Sequence, residues 1–206
     1  MYTADACYAG TQKCLSVPPG LSPVTFNPAA RKAVKNRRAK VQSWYLDLNM
    51  IANYWGNERF YHHTAPISMI YALSEGLALI LEEGLEEVYA RHWTNGKALQ
   101  AGLEAMGMRL LVKEGYRLPE LTTVVIPESV PDAQVRSRLL DQYGIEIGGG
   151  LGVLKGKVWR IGLMGYSCQR KNVALLFHGL EDVLGQLGHS VARGAALEAA
   201  AAVWKG

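Results

Sequence analysis

Tyr8-Ala9-Gly10-Thr11-Gln12-Lys13 sets a lysine in a small, polar, glycine-bearing turn. It follows an apolar run, Ala4 to Ala9, that reads as a buried strand ending at that turn. Gly10 permits a left-handed turn or a close backbone approach. Thr11 and Gln12 supply polar groups able to hydrogen-bond an anion. Lys13 in its neutral form is a nucleophile toward carbonyl carbons, yet most lysines in turns are solvated charges, so the turn alone leaves both readings open.

Downstream, Pro18-Pro19-Gly20 breaks regular structure, and Val24-Thr25-Phe26 reads as a second short strand. Asn27 as N-cap and Pro28 at the first helical position open a helix to about Arg38, whose basic residues form a solvated face. Trp44 to Trp55 reads as a short helix packed on a core or a partner. After the Gly56-Asn57-Glu58-Arg59 turn, Pro66 opens a long amphipathic segment running to about Met106, with a kink or break at Gly84. Arg109 to Val112 and Thr122 to Ile126 read as strands, and Pro131 to Tyr143 as a helix closed by Gly144. Ile145 to Ile147 reads as an edge strand, Gly148 to Gly152 as a flexible loop, Val158 to Leu163 as a strand and Gln169 to Leu187 as a helix. The alanine-rich tail, Gly188 to Gly206, lacks a stripe of large residues and reads as a loosely attached, frayed helix.

Hydrophobic residues make up 49% and charged residues 19% of the 206, which places the chain among ordered globular proteins. A net charge of +4 suits neither a dedicated nucleic-acid binder nor a polybasic membrane anchor, and no aromatic residues interleave with the basic run. The three cysteines, Cys7, Cys14 and Cys168, form no metal or redox pattern and read as reduced thiols. With no signal-like start and no membrane-length apolar run, a cytoplasmic protein is expected.

Arg160 is the second candidate for chemistry. On a strand it shares a face with Val158 and Gly162, so its guanidinium projects from a largely apolar element and needs an anionic partner. That partner is either a protein carboxylate or the carboxylate of a small acid, which the planar fork grips through two parallel hydrogen bonds. Tyr61 and Thr64 offer hydroxyl donors near a helix opening. The adjacent His62 and His63 invite a metal reading, which fails because adjacent side chains diverge and no cysteine or carboxylate stands at ligand spacing.

Asp5 to Lys13 with Leu15 and Pro18-Pro19-Gly20-Leu21, then Trp44-Tyr45-Leu46-Asp47, Asn53-Tyr54-Trp55, Arg59 to Thr64 and Gly156-Lys157-Val158-Trp159-Arg160-Ile161-Gly162, appear in an order that resembles class V pyridoxal-phosphate aminotransferases. The likeness is greatest to the alanine–glyoxylate and serine–pyruvate branch, and it covers all but the alanine-rich tail. It implies an α/β protein of fold type I: the end of a large cofactor-binding domain plus a small α+β C-terminal domain. The expected divisions are 1–64 (large-domain remnant with the cofactor lysine), 65–106 (connecting helical segment), 107–187 (small domain) and 188–206 (tail).

The resemblance further implies that Lys13 holds pyridoxal 5′-phosphate as a Schiff base and acts as general acid–base, and that Gln12 contacts the phosphate region. It implies that Tyr61 and Thr64 reach the phosphate of the neighbouring subunit's cofactor in a homodimer, and that Arg160 binds the substrate carboxylate. The expected reaction moves an amino group from alanine or serine to glyoxylate or pyruvate, with small amino and 2-oxo acids as substrates. Cys168 follows the arginine, whereas in cysteine desulfurases the nucleophilic cysteine precedes it, so it reads as a packed or incidental thiol. In the family the lysine lies behind a large domain, so this chain is expected to be a C-terminal portion that alone binds cofactor weakly or not at all. Another class V activity, such as phosphoserine transamination or a lyase, and a non-catalytic dimerisation remnant remain open alternatives.

Overall fold

The computed structural model describes residues 4–57 and 59–205; Glu58 of the expected 56–59 turn and Gly206 of the tail lie outside them. The chain divides into two compact units, Met1–Ala78 and Leu79–Gly206.

The first unit opens with a two-stranded antiparallel ribbon, β1 (Ala6–Tyr8) against β2 (Val24–Phe26), with Cys7 opposite Thr25. The expected strand is present, but β1 is exposed along its length rather than buried. Helix α1 (Pro28–Lys35) starts as expected: the Asn27 side chain accepts the Ala30 N–H at 2.8 Å, satisfying an orphan donor of the first turn. It ends three residues short of Arg38, where the Asn36 N–H bonds back to the Lys32 carbonyl.

The aromatic stretch is not one helix but a 3-10 turn, Trp44–Leu46, followed by α2 (Leu48–Trp55). Asp47 divides them, since its carboxylate accepts the N–H groups of Asn49 and Met50 and so begins a new helix. The long helical segment is interrupted as the glycine suggests: α3 (Ile67–Glu83) and α4 (Leu85–Ala105) flank Gly84, whose φ of 93° no helix accommodates.

The second unit contains the core. Its sheet has the order β3-β5-β4, all antiparallel: β3 (Leu121–Val125), β5 (Val158–Gly162) in the centre, and β4 (Gly148–Gly149) at the edge. Leu99, Leu103, Val124, Leu139, Trp159, Phe177 and Leu180 form a contiguous apolar cluster between the sheet, α4, α5 (Asp132–Tyr143) and α6 (Arg170–Gln186). Helix α5 stops at Gly144, which takes the left-handed conformation at φ 64°.

Three further segments depart from expectation. Arg109–Val112 is not a strand; only Leu110 bridges to Val124. The edge strand is Gly148–Gly149 rather than Ile145–Ile147, so the glycine run is partly laddered rather than wholly loop. The tail is docked: α7 (Ala195–Lys205) packs along α4 with Ala196 and Ala200 wholly buried, and the Trp204 indole N–H donates to Asn95 Oδ1 at 2.9 Å. Methyl-sized side chains let the two helix backbones approach closely, so burial here needs no stripe of large residues.

Candidate active site

Within the first unit, Lys13 sits in a turn closed by its own backbone: the Lys13 N–H donates to the Gly10 carbonyl at 3.1 Å, and the Lys13 carbonyl accepts from Ser16 at 3.0 Å. The turn is fixed from below by Thr11, which is fully buried and whose hydroxyl reaches the carbonyls of Pro18 (2.9 Å) and Leu21 (3.2 Å). Thr11 is therefore a structural staple and not the anion donor that its position suggested, since its single proton is committed to backbone. A second support comes from Gly76 on α3. A Cβ there would stand 2.4 Å from Val17 Cγ1 and 2.9 Å from the Leu15 carbonyl, so only glycine lets the segment after Lys13 lie against the helix. An isolated glycine inside a helical pattern was the available signal for Gly76. Gln12 and Lys13 themselves are exposed.

Tyr61 and Thr64 are brought together, with Oη and Oγ1 at 2.9 Å, and Tyr61 keeps two-thirds of its surface exposed (67%). His62 is buried against Trp44, ring on ring at 4.1 Å. Its Nε2 donates to the Trp44 carbonyl (3.1 Å), which leaves Nδ1 to accept from His63 Nδ1–H at 2.7 Å. The adjacent imidazoles thus converge rather than diverge. They meet each other and backbone, and no cluster of three metal-ligating side chains exists among the described residues.

Arg160 belongs to the second unit. It stands in the middle of β5, opposite Thr123 on one side and Gly148 on the other. Its Nε–H donates to the Gly149 carbonyl at 2.7 Å. No carboxylate among the described residues pairs with it, so the ion-pair alternative finds no partner there. Behind the strand, the Trp159 indole N–H donates to Asp132 Oδ1 at 2.9 Å, and Arg136 Nε donates to the same oxygen at 2.8 Å. The Arg136 hydrogen bond, helped by that of Trp159, holds the Asp132 carboxyl below its ordinary pKa against the opposing effect of burial. Cys168 is buried, with its thiol directed at the Arg91 carbonyl at 3.7 Å, in keeping with a packed role.

The first unit carries an amine at Lys13, an amide at Gln12 and the paired hydroxyls of Tyr61 and Thr64, groups of the chemistry that an anionic, aldehyde-bearing cofactor such as pyridoxal 5′-phosphate requires. No helix among the described residues is long and apolar enough to cross a membrane.

The family described as Aminotransferase class-V matches residues 1–175. The (S)-ureidoglycine–glyoxylate transaminase of Bacillus subtilis (strain 168) is 43% identical over 98% of this chain and 53% of its own length. The alanine–glyoxylate aminotransferase of Callithrix jacchus is 44% identical over 87% of this chain and 44% of its own. The crystal structure of the ureidoglycine–glyoxylate aminotransferase from Bacillus subtilis superposes with a TM-score of 0.92 at 44% identity, covering 98% of this chain and 52% of that one. The chain spans about half the length of the curated relatives it matches.

Proposed function

Because the chain belongs to the class V aminotransferases and has their fold type I architecture, we propose that it forms the lysine-bearing half of a pyridoxal-phosphate transaminase acting on small amino and 2-oxo acids. Glyoxylate or pyruvate is the amino acceptor in this reading, and alanine or serine the donor. The observation that carries it is Arg160: a guanidinium fixed at Nε, on the central strand, with no protein carboxylate among the described residues. A small acid's carboxylate is the partner such a group is built to grip.

The cofactor, when bound, supplies the electron sink for breaking the substrate Cα–H bond. Lys13 would hold it covalently until the substrate's amino group takes its place, and the Nζ so freed would carry the proton taken from the substrate Cα. Gln12, next to Lys13, and the Tyr61–Thr64 hydroxyl pair would bind its phosphate. Homodimer formation is part of the proposal, with Tyr61 and Thr64 serving the partner's cofactor. It is supported by the aromatic surface of the first unit, where Trp55 (66%) and Phe60 (69%) stand open to solvent.

The ureidoglycine–glyoxylate relative favours a second donor class, a ureido-substituted amino acid. A panel of alanine, serine, phosphoserine and ureidoglycine against glyoxylate and pyruvate separates these readings. Transfer from alanine or serine to glyoxylate or pyruvate supports the proposal, turnover confined to ureidoglycine or phosphoserine redirects it, and no transfer by a cofactor-loaded holoenzyme contradicts it.

A further inference from the structure

Gly148 and Gly149 pair with Arg160 and Trp159 at the sheet edge and are not the free loop expected of a glycine run. We propose that these two glycines are positioning residues for Arg160: Gly149 orients the guanidinium through its carbonyl, and Gly148, by lacking a side chain, leaves the space in which the guanidinium lies. The inference deepens the assignment of Arg160 as the carboxylate anchor and rests on it.

A guanidinium can grip a carboxylate side-on, through Nε and one Nη, or end-on, through Nη1 and Nη2. The Arg160 Nε–H is already donated to the Gly149 carbonyl at 2.7 Å, so the end-on pair is what remains, and the direction of approach is fixed. Gly148 stands directly across the ladder from Arg160, and residues opposite one another project from the same face of the sheet. A Cβ at 148 would lie 3.3 Å from Arg160 Nη2, so the guanidinium would have to give by a few tenths of an ångström, and 3.4 Å from the Arg160 carbonyl, at the edge of ordinary contact. Alanine would crowd the guanidinium, and a branched side chain would occupy its place.

The third glycine has a different duty. A Cβ on Gly150 would meet the Leu154 carbonyl oxygen at 2.0 Å, so its smallness serves the closure of the 150–154 turn and not the arginine.

The test uses the holoenzyme carrying Gly148→Val, with Gly148→Ala as the milder variant. Losing one charge-assisted contact to the carboxylate predicts a KM for alanine and for the 2-oxo acid raised on the order of tenfold in Gly148→Val. A smaller rise is expected in Gly148→Ala, with kcat near wild type in both. The half-reaction with alaninol, which lacks the carboxylate, is expected to be unchanged. A folded Gly148→Val enzyme with wild-type KM overturns the inference, as does an equal loss with alaninol, which would mark a general structural defect. If Gly148→Val does not fold, the same readouts on Gly148→Ala decide. Arg160→Ala separates the two levels: unchanged KM there defeats the anchor assignment itself, whereas raised KM there beside a wild-type Gly148→Val defeats only the role of Gly148.

Discussion

The two units differ in what they bury. In the second, Leu99, Leu103, Trp159 and Phe177 are enclosed almost completely, and the apolar cluster runs from Ala98 to Ala200. In the first, the buried side chains among the described residues are polar: Thr11 and His62, each satisfied by backbone or by a neighbouring ring. Large aromatic residues there lie on the surface. One unit has the means to fold on its own core, while the other uses hydrogen-bonded turns to hold out an amine and two hydroxyls. The chemistry proposed for Lys13 therefore sits on the part of the chain with the least apolar burial.

The sharpest way to break that contrast is a matched pair of truncations. Leu99→Ala removes fully buried contacts and is expected to cost about 2–5 kcal/mol in denaturant unfolding. Trp55→Ala on the exposed face is expected to cost under about 1 kcal/mol. A large loss for Trp55→Ala would mean that the aromatic face is covered in solution, and a dependence on protein concentration would identify a second copy as the cover. Next in size is Ala200→Leu. Overpacking the α4–α7 contact predicts a loss of about 1–3 kcal/mol by thermal unfolding, whereas a neutral result would restore the loosely attached tail.

Asn27→Ala probes the first unit where it is ordered by a cap and not by a core. A loss of about 1 kcal/mol in its local stability, read by amide exchange in α1, is expected. The smallest effect concerns acid. Because Asp132 has its pKa lowered in the fold, its contribution is complete above the unfolded value of about 3.9 and is lost as pH falls below it. The stability gap between wild type and Asp132→Asn, under about 1 kcal/mol at pH 7 for this partly exposed pair, should shrink toward zero below about pH 4. A gap independent of pH would show that the charge is not what Asp132 contributes.

Features governed by local chemistry were legible in the sequence. The Asn27 cap, the break at Gly84, the stop at Gly144 and the alternation of β5 around Arg160 each follow from a few neighbouring residues. What was not legible depends on distant partners. A glycine pair reads as loop because glycine has little strand preference, yet the central strand β5 recruits Gly148–Gly149 into the ladder. The tail reads as frayed because alanine carries no apolar stripe, although smallness is what lets α7 dock. Thr11 beside Lys13 looks like a ligand donor until the Pro18 and Leu21 carbonyls are seen to claim it. The lysine itself gained its meaning from ordered likeness to a family, since nothing in the turn distinguishes its amine from a solvated one.

The central claim is most directly tested by reducing the cofactor-loaded holoenzyme with borohydride and mapping the modified peptide by mass spectrometry. A pyridoxyl adduct is expected on Lys13, lost in Lys13→Ala together with transamination. An adduct on another lysine, or undiminished turnover without Lys13, would contradict it.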